Sequence, residues 1–223
     1  MILEWWTYSL ADFLMFSPGT YQRMFALYNA QVWPAQCVAL PLGGIVWWLL
    51  ARRHSAWRVA CVLVALGWAF TAWAFHAQRY AGIHTAAPWF AGGFVLQALL
   101  LGAMAWPGSG WQPRSGPAWV RRVGLGLTAF AVLLQPFVGL LFGRPWQQAA
   151  LFGLTPDATA VGTLGLLLLL SRGRARAVGA LPWLVPLLWC AISAATLWTL
   201  HAPDTWVLVG AALLALAAAR APR

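Results

Sequence analysis

Apolar residues run through this chain in long stretches, broken by short segments that carry arginine, proline, glycine and amides. At 1.5 Å per residue, a helix of about twenty residues matches the roughly 30 Å hydrocarbon core of a bilayer. Seven stretches have that character, at about 31–51, 57–77, 84–106, 119–142, 157–171, 179–200 and 204–220. The pattern predicts an all-α fold. It is a polytopic helical membrane protein, one helical transmembrane domain over 1–223, with about seven transmembrane helices preceded by interfacial helices over 1–30. The stretch 157–171 is short for a crossing, and six spans without it are the alternative.

Residues 1–16 alternate aromatic and polar groups (Trp5, Trp6, Tyr8, Asp12, Phe13, Phe16), the pattern of a helix lying in the headgroup layer. Ser17-Pro18 reads as a helix cap with a first-turn proline. The helix that follows carries Tyr21, Arg23, Tyr28, Asn29 and Gln31, which keeps its first turns interfacial, and Pro34 predicts a kink. Gln135-Pro136 predicts a bend inside the fourth span, because proline removes a backbone donor. Gly92-Gly93, Gly139-x-x-x-Gly143 and Ala191-x-x-x-Ala195 are small-residue pairs that allow close helix contact, within the chain or with a partner subunit.

Composition supports this reading. The chain is 62% hydrophobic and 8% charged, against about 25% charged in a soluble domain. Its formal charge of +10 comes from arginine alone, for there is no lysine. That excludes a retinal Schiff base and a lysine nucleophile. The arginines sit in short loops beside spans, so their charge reads as anchoring at a lipid bilayer and not as nucleic-acid binding. Eleven of the fourteen (Arg52, Arg53, Arg58, Arg114, Arg121, Arg122, Arg172, Arg174, Arg176, Arg220 and Arg223) fall on one side of a seven-span topology. Arg23, Arg79 and Arg144 fall on the other. The positive-inside rule then places the amino terminus outside and the carboxyl terminus in the cytoplasm. Met1-Ile2-Leu3-Glu4 has no basic leader, so no signal peptide is expected. Cys37, Cys61 and Cys190 lie in separate apolar stretches and read as buried small hydrophobes.

The same topology gathers Glu4, Asp12, Asp157 and Asp204 at the outer side, with His76, His84 and His201; only His54 belongs to the inner face. His76 and Tyr80 share a helical face if the helix persists, with Arg79 beside them and His84 across the turn. His76, His84 and His201 are candidate ligands for a divalent metal such as zinc or copper. They also suit headgroup or carbonyl contacts, or proton handling. Arg79 and Arg144 go against the inside rule, so each calls for an acidic partner or an anionic ligand. Tyr80, Trp89, Arg144, Trp146 and Asp204 complete the candidate binding residues. Gln36, Gln97 and Gln135 lie within spans and must face protein or a polar cavity. There is no phosphate loop, dinucleotide fingerprint, G-x-S-x-G elbow or H-E-x-x-H.

Several stretches carry a resemblance: Trp6 to Pro18, Tyr28-Asn29, Val32 to Gln36, Ala74 to Tyr80, Ala87 to Phe90, Gly143 to Trp146, and Ala202 to Trp206. Together they resemble a bacterial integral membrane family of the domain of unknown function 6064. At His84-Thr85 the family pattern tends toward Asn-Trp, which sets His84 apart from His76 and Arg79. The resemblance implies a helical protein of the bacterial cytoplasmic (inner) membrane and supplies no activity. The expected function is an outward-facing polar site that binds or passes a small polar solute or metal. The alternatives are an accessory subunit of a larger membrane complex, or an enzyme at the outer surface using His76 as acid/base and Arg79 as anion clamp.

Overall fold

The computed structural model describes residues 16–52, 54–172 and 176–221. The expected interfacial helix over 1–15, with Glu4 and Asp12, lies outside the described residues, as do Arg53, Arg174 and Arg223.

The chain is an all-helical bundle. Helix α1 (Pro18–Gln31) starts at the expected cap, where Thr20 N–H donates to Ser17 Oγ at 3.2 Å. It buries one stripe, Tyr21, Met24, Phe25 and Tyr28, at the i, i+3, i+4, i+7 spacing of an amphipathic helix. Instead of kinking at Pro34, the helix breaks across Val32 to Pro34, and α2 runs Ala35–Arg52. Helix α3 (Trp57–Phe70) continues as a π-helical segment over Thr71–Ala77. After α4 (Ala87–Ala105), α5 (Ala118–Ala129) passes through a π segment, Phe130–Leu134, into α6 (Gln135–Leu141). The proline bend is thus taken up by wider turns. Helices α7 (Pro156–Leu168), α8 (Arg176–Thr199) and α9 (Thr205–Ala219) complete the bundle. Among the described residues, five helical runs are long and apolar enough to cross a membrane: Ala35–Arg52, Trp57–Gly82, Ala87–Ala105, Ala118–Leu141 and Gly179–Thr199. Helices α7 and α9 are apolar but shorter, at 13 and 15 residues.

Helix α7 is short because it is central. Each of its residues except Asp157 is buried, and α3, α5, α8 and α9 all pack on it. A helix apolar on every side belongs in a core. Its contact with α5 is backbone to backbone: a Cβ on Gly165 would stand 2.4 Å from Thr128 Oγ1 and 2.6 Å from the Gly124 carbonyl oxygen. The small-residue pairs expected to mediate such contact do not. A Cβ on Gly92 or Gly93 would meet nothing within 4 Å, and Ala191 is exposed. Cys37 is exposed as well, while Cys61 and Cys190 are buried as expected.

The segment before α7 is non-helical yet enters the core, with Ala149, Leu151, Phe152, Leu154 and Thr155 buried. Buried irregular backbone needs partners, and the Tyr28-Asn29 pair supplies them. Tyr28 Oη donates to the Leu154 carbonyl at 2.6 Å, and Asn29 Nδ2 to those of Gln147 and Ala149 at 2.8 and 3.0 Å. Gly153 donates its N–H to Thr159 Oγ1 at 2.9 Å. Two span amides act as helix glue. Gln36 Nε2 donates to the Asn29 carbonyl at 2.6 Å, and Gln97 Nε2 to that of Pro182 at 3.0 Å. Pro186 has no N–H for the carbonyl four residues earlier, and Gln97 satisfies it from α4.

A short antiparallel ladder pairs β1 (Trp111–Pro113) with β2 (Leu170–Arg172). Arg114 donates to the Ala221 carbonyl at 2.7 Å, and Arg121 to that of Ala51 at 2.8 Å. These contacts gather the end of α2, the α4–α5 loop, the end of α7 and the end of α9 at one end of the bundle. Helices α7 and α9 both run toward it from the opposite end, where Asp157 and Asp204 lie.

Candidate functional site

At that opposite end, α6 closes in a Schellman turn. Arg144 N–H donates to the Gly139 carbonyl at 2.9 Å and Gly143 N–H to that of Leu140 at 3.1 Å, with Gly143 at φ 73°. Here Gly139-x-x-x-Gly143 terminates a helix instead of packing one. A Cβ on Gly139 would stand 3.3 Å from Arg144 Nε, so the missing side chain leaves room for the arginine to lie back along α6. Arg144 thereby reaches Asp204, at the start of α9, and forms an ion pair through Asp204 Oδ2. The pair is largely sheltered, with side-chain exposures of 21% and 12%.

Beside the pair is a chamber of about 40 Å³, lined by Tyr21, Gln135, Gln148 and Asp157 together with Arg144 and Asp204. Trp189 Nε1 donates to Asp157 Oδ1 at 2.8 Å. Gln135 is 5% exposed. Its Oε1, Gln148 Oε1 and Asp204 Oδ1 are all buried without a hydrogen-bond donor. Burial, then the carboxylates of Asp157 and Asp204, raise the Tyr21 hydroxyl well above its ordinary pKa, against the opposing effect of Arg144. Tyr21 therefore stays protonated and can donate. A second cavity of about 110 Å³, reaching Pro18 and His201, adjoins it. Tyr21, Gln22, Arg144, Leu197 and Asp204 form the wall common to both.

Of the residues singled out from sequence, Arg144, Asp204 and Gln135 converge here. Tyr21, Gln148 and Asp157 join them unforeseen as binding residues. His76 does not. It is fully buried, with neither ring nitrogen hydrogen-bonded, and its ring centroid lies 4.3 Å from Phe94 and 4.9 Å from Trp189. Tyr80 and Phe90 are ring neighbours of both His76 and His84. His84 is half-buried, and its Nδ1 accepts from Ala86 N–H at 3.1 Å. His201 is exposed at φ 53° and lines the outer cavity. The three histidines are therefore not gathered into one site, and among the described residues no three His, Cys, Asp or Glu side chains are grouped to hold a metal. Arg79 is half-buried beside Tyr80, with its Nε unbonded. The two tryptophans expected to wall a pocket with Arg144 do not: Trp89 is 83% exposed, and Trp146 leans on Phe137 at 5.4 Å beside a separate, mainly apolar groove.

Fold and site define a class: an all-helical protein with apolar helices of membrane length and an ion-paired polar chamber at one end of the bundle. Within that class, the chain belongs to a family of unknown function (DUF6064), whose model matches residues 19–222. No curated protein and no solved structure matches it. The matched region contains Tyr28-Asn29, which staples the segment before α7, and both members of the Arg144–Asp204 pair.

Proposed function

We propose that this is a multi-pass protein of the bacterial cytoplasmic membrane, with seven crossings, the amino terminus outside and the carboxyl terminus in the cytoplasm. Its outward-facing chamber binds, or helps pass, a small polar solute or ion. The β1–β2 ladder supports seven crossings, because it joins the loop after α4 to the end of α7. Helix α7 is enclosed by protein and need not match the bilayer's thickness. The exposed tryptophans Trp48, Trp106 and Trp119 toward the arginine end, and Trp33, Trp73, Trp198 and Trp206 toward the other, fit two interfacial belts.

The observation that carries the functional reading is the sheltered Arg144–Asp204 pair in the wall shared by two adjoining cavities, one of them lined by residues with undonated oxygens. Sheltered charges and bare acceptors are costly in a core unless a ligand or solvent uses them. The pair acts as a gate. An accessory-subunit reading finds support on α4, where Gly92, Gly93 and Gly102 face open space. The enzyme reading loses its acid/base, since His76 sits among aromatic rings away from the gate.

Accessibility of the chamber tests the gate. Val138 lines it, so Val138→Cys is introduced in a chain whose exposed Cys37 is serine, and methanethiosulfonate ethylammonium is applied from outside. The expected result is slow labelling that becomes about tenfold faster with Asp204→Ala, equivalent to removing roughly 1.4 kcal/mol of closure. Equal rates with and without the ion pair, or reaction only from the cytoplasmic side, would contradict the reading.

A further inference from the structure

We propose that the chamber holds one small monovalent cation of the sodium class, coordinated by Gln135 Oε1, Gln148 Oε1, Asp204 Oδ1 and the Asp157 carboxylate. This rests on the outward-facing polar site above and names its ligand.

Three oxygens lie out of solvent with no donor, and one of them belongs to Gln135, which is 5% exposed and faces the cavity. Buried acceptors that no donor reaches call for a positive partner. Charge is compatible with this: with both carboxylates ionised, Asp157, Asp204 and Arg144 sum to a formal −1, which one monovalent cation neutralises and a divalent ion would reverse. Of the helices that end there, α1, α7 and α9 present amide ends and α6 and α8 carbonyl ends, so their dipoles largely oppose one another. Carboxylate and amide oxygens are the ligands of hard cations. The volume, about 40 Å³, suits an ion with very little water. Arg144 is engaged with Asp204 Oδ2, which leaves Oδ1 as the coordinating atom.

The test uses the purified full chain in detergent, with sodium chloride replacing choline chloride at constant ionic strength. Thermal unfolding and titration calorimetry provide the readouts. The expected result is a saturable rise in Tm and a binding heat with Na+, both absent with choline. Apparent affinity should fall at least tenfold in Asp157→Asn and in Gln135→Met. Unchanged far-UV circular dichroism in choline establishes that these variants fold. If neither folds, Gln148→Leu at the half-buried rim carries the same expectation. Identical Tm in both salts without binding heat overturns the proposal, and so does Na+ binding that survives undiminished in the folded variants. Labelling of Val138→Cys does not depend on Na+. A gated chamber indifferent to sodium would end this inference alone, whereas an unreactive chamber would end both.

Discussion

At His84 a single hydrogen bond and a single burial set a pH dependence. Burial lowers its pKa from the ordinary value of about 6.5, and its unprotonated Nδ1 accepts from Ala86 N–H. Below about pH 6.5 the unfolded chain takes up a proton here while the folded chain resists it. Stability therefore falls as pH drops through 6.5 and levels off below the lowered folded value. Tm should decline between about pH 7.5 and 5, and His84→Gln should flatten that decline; parallel slopes in the two proteins would contradict the assignment. Other residues show how far chemistry can be read from the chain. Arg144, Asp204 and Gln135 stood out because a charge or amide in apolar surroundings needs a partner. The one-sided burial of α1 was also written in the spacing of Tyr21, Met24, Phe25 and Tyr28, yet polar neighbours at Arg23 and Gln31 made the helix read as interfacial. Trp89 and Trp146 misled because an indole at a membrane boundary looks the same whether it lines a pocket or faces outward.

Helix α7 organises the bundle, and its length concealed that. Thirteen apolar residues fit a short span, a core helix or a re-entrant segment equally well, and periodicity cannot decide when every face is buried. What decides it is close backbone approach to α5. Gly165→Ala would drive a Cβ into the Gly124 carbonyl and Thr128, an overpacking worth about 1–3 kcal/mol. Gly92→Ala meets open space and should be neutral or gain up to about 1 kcal/mol of helix propensity. Unfolding of the two variants in detergent checks this, and equal stability would mean that α5 and α7 are farther apart than described. The π segments at Thr71–Ala77 and Phe130–Leu134 were similarly invisible. A wider turn leaves the apolar pattern intact while rotating the residues beyond it; the expected neighbourhood of His76 and Tyr80 still forms, with ring centroids 5.9 Å apart, but within the core.

For the whole molecule, the all-helical class and most helix positions followed from apolar stretches alone. Among the described residues five runs have membrane length; α7 is shorter and enclosed by neighbours that no single stretch reveals. The arrangement of ends is more telling than the count. Ladder and arginine contacts draw the basic segments together, while α7 and α9 carry Asp157 and Asp204 to the far end. In a membrane this becomes a statement about sides. The most direct measurement labels single cysteines at two exposed positions, Ser115→Cys and Pro203→Cys, in a chain whose Cys37 is serine, using an impermeant maleimide on intact cells. The account predicts that Pro203→Cys reacts in intact cells and Ser115→Cys only after permeabilisation. Reaction of both from the same side would contradict it.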